Sequence, residues 1–175
     1  MAKFYSELDD QLREFIDRQQ IFFTASAPTE GRINLSPKGM DTFRCLNHQQ
    51  VAYLDLTGSG NETAAHLHQN GRITVMFCSF DQNPLILRLY GQGEVVRPGT
   101  SKWQEIWQSG NFADYPGQRQ LIVVDIDSVQ TSCGFGVPMF EQQQERSTLS
   151  DWAATKGSDG VREYQMKKNQ MPVPR

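Results

Sequence analysis

The sequence predicts a single, mainly β domain: a closed or nearly closed antiparallel barrel with peripheral helices. Its 175 residues suit one compact domain, and its 38% hydrophobic and 21% charged residues are typical of a globular protein. Six β-rich runs punctuated by Gly, Pro and Asn dominate the middle of the chain, whereas the helical stretches are short. This texture favours an antiparallel barrel over a doubly wound parallel sheet.

The first predicted element is an amphipathic helix, which Ser6 and Asp9 would start as a capping box. The predicted strands that follow are 21–25, 32–35, 51–56, 72–77, 85–96 and 120–130. Gly91 and Gly93 predict a bulge or bend within the fifth strand. The short helices are predicted at 61–69, 101–108, 149–155 and 161–168, before a non-helical tail at 171–175. The single domain therefore divides into an N-terminal helix (1–20), a barrel core (21–132) and a C-terminal extension (133–175).

Charge and hydropathy exclude several classes of partner. The formal net charge is -3 with no long run of either sign, which argues against binding to nucleic acid or to an anionic membrane surface. No apolar stretch is long enough for a membrane span, so we expect a cytoplasmic protein without a membrane partner. Cys45, Cys78 and Cys133 are scattered and never in a CxxC spacing, and the three histidines form no cluster, so no metal site is predicted.

A strand, a Gly-rich turn and a helix start follow one another between 51 and 67. Gly58 and Gly60 allow the backbone to approach a ligand, and the first N–H groups of a helix lack intrahelical partners, so this turn suits a phosphate. Ser59 and Glu62 alternatively form a capping box that uses those donors internally. Both interpretations stay open at this point. A dinucleotide-binding fold is not favoured, because strand–helix alternation does not continue along the chain.

A second candidate is Lys38, which a tight turn places at the end of a predicted strand. Its cation can face an electron-rich ligand, although a solvated turn lysine is the alternative. No nucleophile with a recognisable base is visible, so the catalytic residues are unknown. If the protein is an enzyme, a cofactor therefore carries the chemistry.

These residues resemble the pyridoxamine 5′-phosphate oxidase-like FMN-binding split β-barrels over about residues 21–137. Segment 33–41 is similar to the family strand that ends in Lys-Gly-x-Asp and runs beside the isoalloxazine ring, and Lys38, Gly39 and Asp41 match it. Segment 56–67 looks like the phosphate loop of the family. The turn and segment 131–138 look more like an oxidase-related subgroup than like the vitamin B6 oxidase, whose C-terminal Arg-x-His pattern is absent here.

The resemblance implies an FMN site. The backbone from Ile33 to Ser36 would line the ring, Lys38 would favour negative charge on the reduced flavin, and Thr57, Asn61 and Thr63 would hold the phosphate. The family commonly places Ser, Arg and Lys where this chain has Asn61, Glu62 and Thr63, so a basic pair is missing here. The complete predicted cofactor-binding set is Ile33, Asn34, Leu35, Ser36, Lys38, Leu56, Thr57, Asn61, Glu62, Thr63 and Arg119.

The implied function is a flavin-dependent oxidoreductase acting on an unidentified small molecule. Members of the family form homodimers with flavin sites at the interface, so the resemblance implies a homodimer. The helix with Trp103 and Trp107, the stretch 112–115 and Arg119 offer surface for such an interface. The alternative is that the tryptophan helix packs on its own barrel.

The alternative function is a non-catalytic module that binds or senses flavin, haem or deazaflavin. The missing basic pair favours this second class. His48, His66 and His68 are available as haem ligands, although their positions in the fold cannot be assigned from sequence. A barrel without any cofactor, serving as an assembly subunit, is the third possibility.

Overall fold

The computed structural model describes residues 2–141 and 144–169. The strands are β1 (Lys3–Tyr5), β2 (Phe22–Ser26), β3 (Asn34–Lys38), β4 (Phe43–Cys45), β5 (Gln50–Leu56), β6 (Arg72–Cys78), β7 (Ile86–Val96) and β8 (Gln118–Ser132). The helices are α1 (Asp10–Asp17), α2 (Glu62–Asn70), α3 (Ser101–Ser109) and α4 (Thr148–Lys168). The predicted tail at 171–175 lies outside the described residues.

All strand pairs are antiparallel, and the sheet runs in the order β3-β2-β6-β7-β8-β5-β4 with β1 added to β8. This curled sheet with peripheral helices is a split barrel, which confirms the predicted fold class. The six predicted strands are present, whereas the short strands β1 and β4 are additional. The predicted irregularity in the fifth predicted strand is confirmed as a register shift between Tyr90 and Gly91.

Two apolar clusters cover the two faces of the sheet. Alternation along β5 sends Val51 and Tyr53 into the larger cluster and Ala52 and Leu54 into the smaller one. Helix α1 closes the larger cluster, and its start corrects the sequence prediction. Asp9, not Ser6, is the N-cap residue, and its carboxylate accepts a hydrogen bond from the Leu12 N–H.

Helix α3 packs on its own barrel. Trp103 and Ile106 are buried in the smaller cluster, and Trp107 stacks on Trp103 with ring centroids 5.1 Å apart. The aromatic surface that suggested an interface is thus largely used within the chain. An interface at this helix is therefore not supported by exposed aromatic area.

Helix α4 contains a break, as the two predicted helices at 149–155 and 161–168 indicate. Gly157 has φ 67° and ψ 169°, a conformation that is essentially restricted to glycine. The first half of α4 lies near the end of β3, and the second half reaches the turn that follows β5. One helix therefore borders both regions in which the sequence predicts ligand contacts.

Candidate functional site

A buried ion cluster joins three strands beside the Gly-rich turn. Asp55, 3% exposed on β5, lies 3.3 Å from Lys38 Nζ and 2.7 Å from Arg119 Nη2. Gln120 Nε2 donates to the same carboxylate at 2.8 Å. One carboxylate thus faces two cations, so the cluster carries one net positive charge.

A β-bulge explains how two adjacent residues reach the same carboxylate. Asp55 pairs with Gln120 across the ladder, but Leu56 pairs with Gln118, which leaves Arg119 as the extra residue. A bulge re-aims the side chain that it displaces, whereas neighbours in a regular strand point to opposite faces. Arg119 therefore joins Gln120 at Asp55 instead of pointing away from it.

The cluster continues into the turn between β5 and α2. Arg119 Nη1 donates to the Gly60 carbonyl at 3.1 Å, and Gln120 Nε2 donates to Asn61 Oδ1 at 2.8 Å. Gln120 Oε1 is buried and finds no hydrogen-bond partner among the described residues. Such atoms usually bond to water or ligand, so the barrel end offers an unsatisfied acceptor beside the turn.

The start of α2 differs from the predicted capping box. The N-cap residue is Asn61, and its side chain makes no capping hydrogen bond in the described structure. The Glu62 carboxylate instead folds back over Gly60, where an added Cβ would lie 2.1 Å from Glu62 Oε2. At Gly58, by contrast, an added Cβ would meet none of the described residues within 4 Å. Among these residues the turn is therefore open on the Gly58 side and negatively charged on the Gly60 side.

The second half of α4 holds the same turn. Gln165 Nε2 donates to Thr57 Oγ1 at 2.7 Å, while this hydroxyl donates to the Gly117 carbonyl. Asn169 accepts a hydrogen bond from Arg119 Nη1 at 2.7 Å and donates to the Gly58 carbonyl at 3.3 Å. The Thr57 hydroxyl thus both donates and accepts a hydrogen bond within the chain.

The predicted β3 residues separate into two groups. Asn34 and Lys38 point towards the site, because Asn34 Nδ2 donates to Thr63 Oγ1 at 3.0 Å and Lys38 reaches Asp55. The Lys38 side chain is only 24% exposed, so the alternative of a solvated turn lysine is wrong. Ile33 and Leu35 are instead 74% and 65% exposed on the opposite face of this edge strand.

Burial keeps the tyrosine at the centre of the barrel neutral. Desolvation, followed by the nearby Asp55 carboxylate, raises the pKa of Tyr53 well above its ordinary value of 10.0. Its hydroxyl is therefore a neutral polar group beside Thr24 and Thr63. This phenol does not act as a base near neutral pH.

Sequence reasoning missed Asp55 and Gln120, and it did not anticipate Gln165 and Asn169. A signal existed for Asp55: it continues the inward series of Val51 and Tyr53 with a charged residue, and charged residues are buried only when paired. The contribution of α4 carries no comparable signal, because it depends on how the chain returns after β8.

A sequence profile described as pyridoxamine 5′-phosphate oxidase matches residues 8–133. The chain belongs to the pyridoxamine 5′-phosphate oxidase family. The pyridoxamine 5′-phosphate oxidase family protein ustO of Aspergillus flavus is 46% identical over 144 residues, which cover 81% of this chain. The match covers 58% of that relative, so the chain spans little more than half of its length.

Solved structures share the fold of this pyridoxamine 5′-phosphate oxidase family member at low sequence identity. HupZ from Group A Streptococcus superposes with a TM-score of 0.54 at 18% identity, covering 70% of this chain and 91% of that chain. An FMN-binding protein from Syntrophomonas wolfei subsp. wolfei superposes with a TM-score of 0.51 at 13% identity, covering 67% of this chain and 80% of that chain. These likenesses show a common split-barrel fold.

Metal-ligand clusters and membrane-crossing helices are absent from the described residues. Within 2–141 and 144–169, no group of three or more His, Cys, Asp or Glu residues is placed to hold a metal ion. None of the helices in the same ranges has the length and apolar character needed to cross a bilayer.

Proposed function

We propose that the protein binds FMN and acts as a flavin-dependent oxidoreductase on a small molecule. The observation that carries this proposal is the Lys38–Asp55–Arg119 cluster, which connects the end of β3 to the Gly-rich turn. Family membership supports the proposal, since the predicted ring and phosphate contacts lie on these two elements. When bound, FMN supplies the redox centre by accepting an electron pair, which no side chain of this site can do.

The edge strand fits the flavin ring. β3 ends the sheet order, and in the described structure its edge away from β2 pairs with no other strand. Backbone groups from Ile33 to Ser36 are thus available to a planar ligand with hydrogen-bonding atoms at its rim. Lys38 would place the net positive charge of the cluster beside that ligand and favour its negatively charged form.

The turn fits the FMN phosphate through Arg119. The basic pair that the family places near Glu62 and Thr63 is absent, but the Arg119 guanidinium reaches the same turn from β8. The uncapped start of α2 and the open space beside Gly58 supply N–H groups and room. The Glu62 carboxylate opposes this interaction, and the Arg119 guanidinium already donates to Asp55, the Gly60 carbonyl and Asn169. Phosphate binding therefore requires Glu62 to move away and part of these Arg119 hydrogen bonds to be exchanged for bonds to the phosphate.

We also infer a homodimer. Ile33 and Leu35 form an exposed apolar pair on an edge strand, a surface that monomeric proteins usually cover or charge. A second copy placed there would cover this pair and enclose a ligand lying along β3. Size-exclusion chromatography with light scattering tests this inference: a mass near 20 kDa means a monomer and contradicts it, while about twice that mass supports it.

The test of the proposed function is an FMN titration followed by flavin fluorescence. Replacing Asn61 and Thr63 together by Ala should weaken binding by about tenfold or more, because it removes the two polar side chains that we assign to the phosphate. Exposed Asn83 and Thr29, both replaced by Ala, provide the matched control. An unchanged affinity of the Asn61/Thr63 variant contradicts the phosphate assignment. Reduction of bound flavin by a nicotinamide, followed at 450 nm on the order of seconds, then tests the oxidoreductase.

The alternative is a binding module without catalysis. It is favoured by the Glu62 carboxylate over Gly60, which lowers the affinity for a phosphate. Flavin that binds but is not turned over with any reductant would support this alternative. The described structure does not favour the haem version. His48 Nδ1 bonds to the Leu8 carbonyl, His66 Nδ1 bonds to Ser26, and His68 is exposed on α2. None of these three rings lines the cavity at the end of β3.

A further inference from the structure

A cavity of about 850 Å³ opens at the end of β3 next to Lys38. Its volume lies within the range of small-molecule sites, which is roughly 300–1,000 Å³. Most of its lining surface is apolar or aromatic. The apolar lining residues are Ile21, Pro37, Met40, Phe80, Phe140, Leu149 and Trp152.

One wall of this cavity is built from residues beyond the matched family segment 8–133. Phe140 is anchored to Phe80 in two ways. Its backbone N–H donates to the Phe80 carbonyl at 3.0 Å, and the centroids of the two rings are 5.3 Å apart. The Trp152 ring is fixed by an edge-on contact with the ring of Tyr164, which lies beyond the break in α4. The two ring centroids are 5.0 Å apart. The wall therefore presents aromatic surfaces that are already positioned.

The net positive charge of the cavity lining lies at Lys38. Lys38 shares its carboxylate partner in the described structure, Asp55, with Arg119, so the pairing leaves one net positive charge. Glu145 and Arg146, which also line the cavity, have opposite charges and cancel. A ligand with a negative group at one end and an apolar body at the other would match this distribution.

The turn beside Lys38 is held in one conformation by its own contacts. Met40 and Asp41 have φ values of 63° and 51°, and Met40 lines the cavity. Non-glycine residues adopt this region at a cost and persist there when neighbouring contacts enforce it. Arg44 Nη1 lies 2.8 Å from Asp41 Oδ1, and Thr42 Oγ1 donates to the Gly39 carbonyl at 2.7 Å.

We propose that this cavity binds the substrate, a largely apolar aromatic molecule with one negatively charged group that lies against Lys38. The assignment of the ligand as a substrate rests on the proposed flavin-dependent function. The site itself and its ligand class rest on the cavity. Phe140, Leu149 and Trp152 determine specificity for the aromatic body, and Lys38 determines specificity for the charge.

Two fluorescent probes separate these contributions. 8-Anilino-1-naphthalenesulfonate and N-phenyl-1-naphthylamine share one aromatic body, and only the first carries a negative charge. Trp152→Ala should weaken both probes about tenfold, because it removes part of the aromatic wall. Lys38→Met should weaken only the sulfonate by about tenfold, and Lys102→Met, at an exposed lysine paired with Glu94, should change neither.

Unchanged sulfonate affinity in Lys38→Met, or equal loss of both probes, overturns the charge assignment. Full affinity in Trp152→Ala overturns the cavity assignment. Phe140→Ala provides a second wall variant if Trp152→Ala does not fold, as judged by circular dichroism and thermal unfolding.

Repeating the titration with FMN-saturated protein tests the substrate role. Undiminished probe binding supports a substrate cavity beside the flavin, whereas competition between FMN and the probes means that the flavin ring itself fills the cavity and overturns that role. If the protein does not bind FMN at all, the proposed function and the substrate role fall together. The probe titrations on the FMN-free protein then still decide whether the cavity binds aromatic anions.

Discussion

Asp55→Asn is the sharpest test of the ion cluster. The substitution keeps the size of the side chain but removes the carboxylate that both Lys38 and the buried Arg119 face. Removing one partner of a buried ion pair leaves an uncompensated charge and costs about 3–5 kcal/mol. We therefore expect the free energy of unfolding to fall by about that amount, a large part of the roughly 5–15 kcal/mol available to a domain.

Urea denaturation, followed by both tryptophan fluorescence and circular dichroism, measures this loss. Asp41→Asn is the matched control, because the Asp41 side chain is exposed where it pairs with Arg44, and asparagine tolerates its positive φ. Exposed pairs contribute at most about 1 kcal/mol, so the control should change stability little. If Asp55→Asn is no more destabilising than Asp41→Asn, the cluster is not the buried, mutually compensating network described above.

Three other predictions concern Glu62, Gly91 and Cys45. Glu62→Gln should strengthen FMN binding about fivefold, because a negative charge near the phosphate costs about 1 kcal/mol. The FMN fluorescence titration measures this change, and weaker binding would show that the Glu62 carboxylate assists the ligand. Gly91→Ala should lower the free energy of unfolding in urea by about 1–3 kcal/mol, since the added Cβ would clash with the Asp125 backbone oxygen of β8. Gly136→Ala is the control and should not lower it, because its Cβ would meet none of the described residues within 4 Å. Burial raises the pKa of Cys45 from 9.0 to about 12, so this thiol forms little of the reactive thiolate at pH 8. Iodoacetamide should therefore label the exposed Cys133 before Cys45, which peptide mass spectrometry measures. Because the folded-state pKa exceeds the unfolded one, the stabilising contribution of Cys45 is complete below pH 9 and is lost as the pH rises towards 12.

The strands of the barrel core were predictable because their side chains alternate and Gly, Pro or Asn separates them. β1 and β4 were not, since each has only three residues and is stabilised by pairing with β8 or β5. Short strands of this kind are specified by their neighbours and carry too few residues for a periodic pattern.

The candidate site was predicted only in part. Lys38, Asn34 and Thr63 could be selected because they lie on elements whose motifs resemble those of the family. The partner of Lys38 was hidden, because Asp55 belongs to a strand that otherwise has an apolar core pattern. The orientation of Arg119 depends on a register shift between two strands, which is a tertiary feature that no local pattern encodes.

The break at Gly157 has a thermodynamic consequence for the C-terminal segment. It divides α4 into two pieces, each shorter than the roughly 12–15 residues that a helix needs to be even marginally stable alone in water. Neither piece can therefore detach and persist as a free helix, so leaving the barrel and losing helical structure are one event. Amide hydrogens in both pieces should exchange together with the opening of their docking contacts, and any ligand that holds these contacts should slow that exchange in proportion to its occupancy.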